Sequence, residues 1–177
     1  MSWPREVGCV YAETRDAIVL VDPLVPQDAE EAAAFWRALD RDRRRLADRP
    51  VAILLTAAWH RRSSEEVAER YDAAIWSQGD ALPDGVEADV FEAGEWREIV
   101  FGLTDHAAVV FGDVIEGDPG GGVHMAPDWW PPEESRTVRV REELRRVLRW
   151  PIDLVVVSHG EPVLEQGRAA LERALIA

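Results

Sequence analysis

The sequence contains no lysine, one cysteine and no long hydrophobic run. All 20 of its basic residues are arginine, so neither a lysine Schiff base nor a lysine general base is available to it. The single cysteine, Cys9, excludes an internal disulfide and any multi-cysteine metal site, and it fits a reducing cytoplasm. Cys9 itself is expected to be a small buried apolar residue. No stretch approaches the ~18 apolar residues that span a bilayer, and "MSWPREVGCVY" lacks the apolar core of a signal peptide. The expectation is a cytoplasmic protein with no membrane partner. Acidic residues outnumber basic ones, 34 to 20. The formal net charge is −14, which a phosphate backbone would repel, so nucleic acid is not an expected partner and the charge serves solubility.

What is present fits one domain over residues 1–177, with 47% apolar and 31% charged residues. Residues 7–12 and "AIVLVDP" (17–23) predict two strands of a hairpin around "ETRD". From Gln27 to Ala47, Ala32, Phe35, Trp36, Leu39 and Leu46 recur at helical spacing, with acids early and arginines late. "VAILLT" is short and apolar enough for a strand covered on both faces, and "SSEEVAERY" predicts a helix opened by a serine cap. Further strands are expected at 73–77, 86–91, 96–102 and 107–115, the last with Asp113 inside it. The stretch "EGDPGGGVHMAPDWWPPEES" predicts the longest loop. A helix over 138–149, the strand in "PIDLVVVSHG" and a final helix carrying Leu164, Leu171 and Leu175 complete a layered α/β protein.

Among four histidines, His159 stands out because it follows an apolar strand and precedes Gly160, where the chain can turn sharply. Asp113 in "VVFGDVI" is the second candidate, since a carboxylate among apolar residues must be paired, bound to a cation or pointed into a polar cleft. "GDPGGG" lacks the lysine and the strand-loop-helix context of a phosphate loop. No serine sits in a nucleophile-elbow motif. No catalytic residue is assigned.

In order and spacing, "AIVLVDPLVP", "ILLTAAWHRRSSEEVAERYDAAIWS", "AVVFGDVI" and "DLVVVSHGEPV" resemble the metallo-β-lactamase-fold hydrolases over nearly the whole chain. The resemblance implies a layered αββα sandwich with mixed sheets. It also implies another strand or two before the first hairpin, which here begins almost at Met1, so a shortened first sheet with an unprotected edge and a homodimer across that edge are expected. The family's metal loop, Thr-His-x-His-x-Asp-His, laid over Thr56 places Ala57, Trp59, Arg61 and Arg62 at its four ligand positions. None of the four binds zinc. His60 falls on a variable position with its side chain directed away from positions 59 and 61, and the family's third histidine has no match. Asp113 and His159 are what survive of the ligand set.

The resemblance therefore implies a catalytically degenerate member without a dinuclear centre or other cofactor, which binds a small anionic or polar ligand or a protein partner. Arg61 and Arg62 would supply positive charge, one or the other would neutralise Asp113, Trp59 and Trp129 or Trp130 would form apolar walls, and Asp113 would pair with His159. The alternative is a mononuclear hydrolase of an ester, thioester or lactone, with zinc or another divalent metal on Asp113, His159 and His60.

Overall fold

Short apolar strands alternate with amphipathic helices in the computed structural model, which describes residues 7–93, 96–126 and 138–176. Contacts divide the chain into two compact units: Cys9–Leu55 with Trp59–Asp84, and Met1–Gly8 with Thr56–Ala58 and Gly85–Ala177. No helix among the described residues is long and apolar enough to cross a membrane.

The first unit is a four-stranded mixed sheet in the order β1-β2-β3-β4, formed by β1 (Val10–Glu13), β2 (Ile18–Val21), β3 (Val51–Leu54) and β4 (Ala74–Ile75). β1 and β2 are the expected hairpin; β2, β3 and β4 run parallel. Parallel neighbours need crossovers, and these are α1 (Ala29–Arg45) and α2 (Ser64–Tyr71). Asp28 starts α1 by accepting the Glu30 and Glu31 amides at 2.9 and 3.0 Å, and Arg43, Arg44 and Arg45 close it, as the helix dipole favours. Leu39, Phe35 and Trp36 pack with Ile18, Ile53, Val67 and Tyr71 in the unit's core. Two expectations fail. Cys9 is exposed, because strand alternation places it on the outward face with Tyr11 while Ala12 turns inward. Ser63 does not cap α2; its hydroxyl accepts the Val25 amide at 3.0 Å and so ties the helix start to the turn after β2.

The second unit has a mixed sheet in the order β10-β7-β6-β5, with β5 (Val86–Ala93), β6 (Trp96–Leu103), β7 (Ala108–Phe111) and β10 (Leu154–Val157). β10 joins β7 in parallel, whereas β5, β6 and β7 form an antiparallel meander. The expected long loop begins as a hairpin, β8 (Ile115–Asp118) and β9 (Gly122–Met125); Gly120 and Gly121, at φ +90° and +94°, make its turn. The remainder of that loop, Trp129 and Trp130 included, lies outside the described residues. α3 (Val138–Leu144) runs on through a 3-10 turn, Arg145–Arg149, and α4 (Gly167–Ile176) ends the chain's described part. Leu144, Val147, Leu171 and Leu175 fill a core with Phe91, Phe111 and Val155. Leu164 precedes α4 rather than lying in it and is exposed.

Two backbone segments in this unit meet without room for a side chain. A Cβ at Gly117 would stand 2.0 Å from the Glu161 carbonyl oxygen, and one at Gly160 2.2 Å from that of Gly117. The Gly117 amide donates to the His159 carbonyl at 2.9 Å, so β8 fixes the turn that follows β10. Gly117→Ala is expected to destabilise the protein by roughly 1–3 kcal/mol because backbone must move. Gly121→Ala, where nothing lies within 4 Å, should cost only the ~1–2 kcal/mol of its left-handed backbone. Urea unfolding of both variants checks the difference, and equal losses would count against the close approach.

Candidate functional site

Polar side chains gather at the carboxyl-end turns of the apolar strands, where rigid elements support them. In the second unit, β7 and β10 are parallel neighbours, with Phe111 paired to Val157. Both chains leave the sheet on the same side. Asp113 lies in the turn two residues past β7, not inside the strand, and His159 lies two residues past β10. Asp113 Oδ1 is 3.2 Å from His159 Nε2, with the carboxylate buried and the imidazole 17% exposed. The two are held from behind. A bridge between Val7 and His159 and the Gly8 amide on the Ser158 carbonyl (2.8 Å) brace one side of the histidine turn, and Gly117 braces the other.

The turn carrying Asp113 is organised by a residue to which the sequence reading gave no role. Glu98 of β6 is fully buried and accepts three consecutive amides: Gly112 at 2.9 Å on Oε1, and Asp113 at 2.8 Å and Val114 at 3.0 Å on Oε2. The Ile99 amide donates to the Thr56 carbonyl at 2.7 Å, and a Cβ at Gly112 would stand 2.6 Å from Thr56 Oγ1. Glycine is thus required where the turn passes Thr56. Burial, and then the Asp113 charge, push the Glu98 carboxyl up to about 8, against the pull of its three amide donors. Strand period could have revealed it, because Trp96, Glu98 and Val100 share one face and all three are buried.

Past β3 the chain enters a 3-10 turn, Ala58–Arg61, whose residues from Trp59 on belong to the first unit. His60 does point opposite to its neighbours, as expected, but in the inward sense: it is 4% exposed, whereas Trp59 is 41% exposed. The cause is Asp22, which was also missed. Asp22 follows β2, is buried in a left-handed conformation (φ 49°), and its Oδ2 lies 2.9 Å from His60 Nδ1. Its signal in the sequence is a carboxylate at the end of an apolar strand just before Pro23. The carboxylate engages Nδ1 and so sets the direction of the ring.

Arg61 is exposed and pairs with Glu65 one helical turn on, so its charge is taken up locally. Arg62 is half-buried and donates to the Asp22 carbonyl at 3.3 Å. Ala57 is buried. Trp129 lies outside the described residues.

The Glu98 shift fixes a pH dependence. Its folded value, about 8, exceeds its ordinary 4.5, so between them the folded protein keeps a proton that the unfolded chain releases. The stabilisation from this group is full below about pH 4.5 and is lost as the pH rises through about 8. Urea midpoints at pH 5.5, 7.0 and 8.5 should fall for the wild type by more than for Glu98→Gln. The variant, whose amide nitrogen faces an amide donor, should be less stable at pH 5.5. Parallel pH profiles would mean that the three amides keep Glu98 charged throughout.

No family model and no curated protein matches the sequence. Solved structures do. TTHA1623 in a di-iron-bound form aligns over 98% of this chain and 96% of its own, with TM-score 0.65 and 18% identity. The metallo-beta-lactamase DIM-1 aligns over 95% and 84%, with TM-score 0.60 and 10% identity. The metallo-beta-lactamase FIM-1 from Pseudomonas aeruginosa, in its mono-zinc form, aligns over 96% and 82%, with TM-score 0.57 and 16% identity. Identities this low carry the backbone alone, and the conclusion they support is structural: this chain has the metallo-β-lactamase fold.

Proposed function

We propose that this protein is a reduced member of the fold, a single domain without a dinuclear centre, in which Asp113, His159 and His60 hold one divalent metal ion for hydrolysis of an ester, thioester or lactone. The observation that carries the reading is the 3.2 Å separation of Asp113 Oδ1 and His159 Nε2. Two ligands of one tetrahedral ion, each ~2.0–2.1 Å from it, stand about 3.3 Å apart. One carboxylate with two imidazoles is also a donor set that suits zinc or iron. An ion held there would supply Lewis acidity toward a carbonyl oxygen and a nucleophile at neutral pH. The rest is the chain's own work. Asp22 fixes the tautomer and direction of the His60 ring, and Glu98 holds the turn that presents Asp113. The Gly117 amide holds the turn that presents His159.

A second reading rests on Ala57, Trp59, Arg61 and Arg62 standing at the positions that ligands occupy in the family. In it no metal is bound, Asp113 and His159 are a hydrogen-bonded pair, and a small anionic or polar ligand or a protein partner is taken up beside Arg62 and Trp59. Both readings place the protein in the cytoplasm, with a homodimer through the edge strand β1 as its assembly and no nucleic-acid partner.

Metal content and thermal shift separate the two. Protein purified without chelator or an affinity-tag metal should contain about one equivalent of zinc, iron or manganese, and added zinc should raise the melting temperature. His159→Ala should abolish that rise. Asp22→Asn should weaken zinc affinity about 10–100-fold while leaving the fold intact. Metal-free protein that is indifferent to zinc and to chelator would sink the metal reading and leave the second.

A further inference from the structure

The second unit carries a cleft whose chemistry neither reading uses. It is open to solvent, with a volume of about 410 Å³, and is lined by Val123, His124 and Met125 of β9, Arg141 of α3, and Arg173 and Ala174 of α4. That volume suits a small molecule. The walls divide by chemistry. Val123, Met125 and Ala174 belong to the buried core and give an apolar floor, while His124, Arg141 and Arg173 bring nitrogen donors to the same space.

In a chain with 34 acidic residues, carboxylates are at hand for most guanidinium groups. Arg70 pairs with Asp40 and Arg149 with Asp89. Arg141 and Arg173 make no ion pair with a carboxylate among the described residues, and Glu172 beside Arg173 is turned to Arg168 at 3.7 Å. Arg141 Nε is moreover buried without a hydrogen-bond partner among the described residues. A buried donor on a permanently charged group costs free energy unless an acceptor meets it, and an oxyanion in the cleft is such an acceptor. His124 is steadied from the hairpin side, its Nδ1 2.8 Å from Asp118 and its Nε2 3.8 Å from Glu116.

We propose that this cleft binds an organic oxyanion, a carboxylate or phosphate monoester on an apolar body, with Arg141 and Arg173 taking the charged group and Val123, Met125 and Ala174 the body. Guanidinium forks match both carboxylate and phosphate oxygens, and the two anions share this recognition. The cleft is independent of the metal reading, since none of its lining residues is a proposed metal donor.

The test is an amide NMR titration of the full chain with octanoate and, separately, octyl phosphate, with sodium chloride at matched ionic strength as control. Saturable shifts confined to β9, α3 and α4 are expected for at least one anion, and which anion binds distinguishes carboxylate from phosphate. Arg173→Gln, at an exposed position, should weaken the binding at least threefold, and Arg141→Gln with Arg173→Gln at least tenfold, with spectra otherwise dispersed as in the wild type. Absence of saturable shifts with either anion at millimolar concentration, or unchanged affinity in Arg173→Gln, would overturn the proposal. His159→Ala should bind as the wild type does, so failure of the metal reading would leave this result untouched.

Discussion

A fully buried carboxyl group holding three successive backbone amides is the constraint on which the second unit's polar end depends. Glu98 gathers the amides of Gly112, Asp113 and Val114 into one turn. An extended chain leaving β7 would point those donors in different directions. Convergence on a single carboxyl bends the chain sharply and presents the Asp113 side chain toward His159. Burying an acid is expensive unless hydrogen bonds compensate, and here they also fix geometry. Gly112 follows from the same constraint, because the bend brings it against Thr56, where a side chain would not fit.

The same device, a carboxylate fixing a neighbour, recurs in the first unit with a different target. Asp22 sits in a left-handed backbone conformation that short polar residues tolerate better than others. That conformation ends β2 and directs the carboxylate to His60. The turn before α2 is then held through both backbone and side chain: the Ser63 amide donates to the Pro23 carbonyl at 3.1 Å, and the Ser63 hydroxyl accepts from Val25 at 3.0 Å. The serine that looks like a helix cap is used to join two turns instead. His60 is consequently positioned by the strand end that precedes it by 38 residues, not by its own segment.

This division explains what could be read from the sequence. β2 and β7 are apolar runs because both of their faces are covered, β3 is nearly so, β10 alternates half-buried with buried residues, and α1 shows its periodicity and its charge gradient openly. His159 was visible as a polar residue at the end of such a run, and Asp113 as a carboxylate among apolar residues, although it lies past β7 and not within the strand. Glu98 was not, since it follows Arg97 in a segment that reads as ordinary surface alternation; only the register of Trp96 and Val100 puts it inside. The β8–β9 hairpin was hidden by its own composition: four glycines, two acids and a histidine read as loop. What makes it a strand pair is the cross-strand pairing of Glu116 with His124 and Gly117 with Val123, a relation between residues that local propensity does not contain.

The arginines show how one residue type serves unlike ends once lysine is absent. Arg61 is satisfied on the surface by Glu65 within its own helix turn, which makes it a local stabiliser of α2 that counters an otherwise unfavourable cation near the helix start. Arg62 reaches the carbonyl of Asp22, adding to the set of bonds that hold the His60 turn. In both, a long side chain carries its charge away from its backbone position. Arg141 differs because its Nε is buried and has no hydrogen-bond partner among the described residues. Sequence position alone distinguishes none of the three, since each is an arginine in a charged stretch. Burial and the nearest acceptor decide whether the charge steadies a helix, props a turn or waits for an anion.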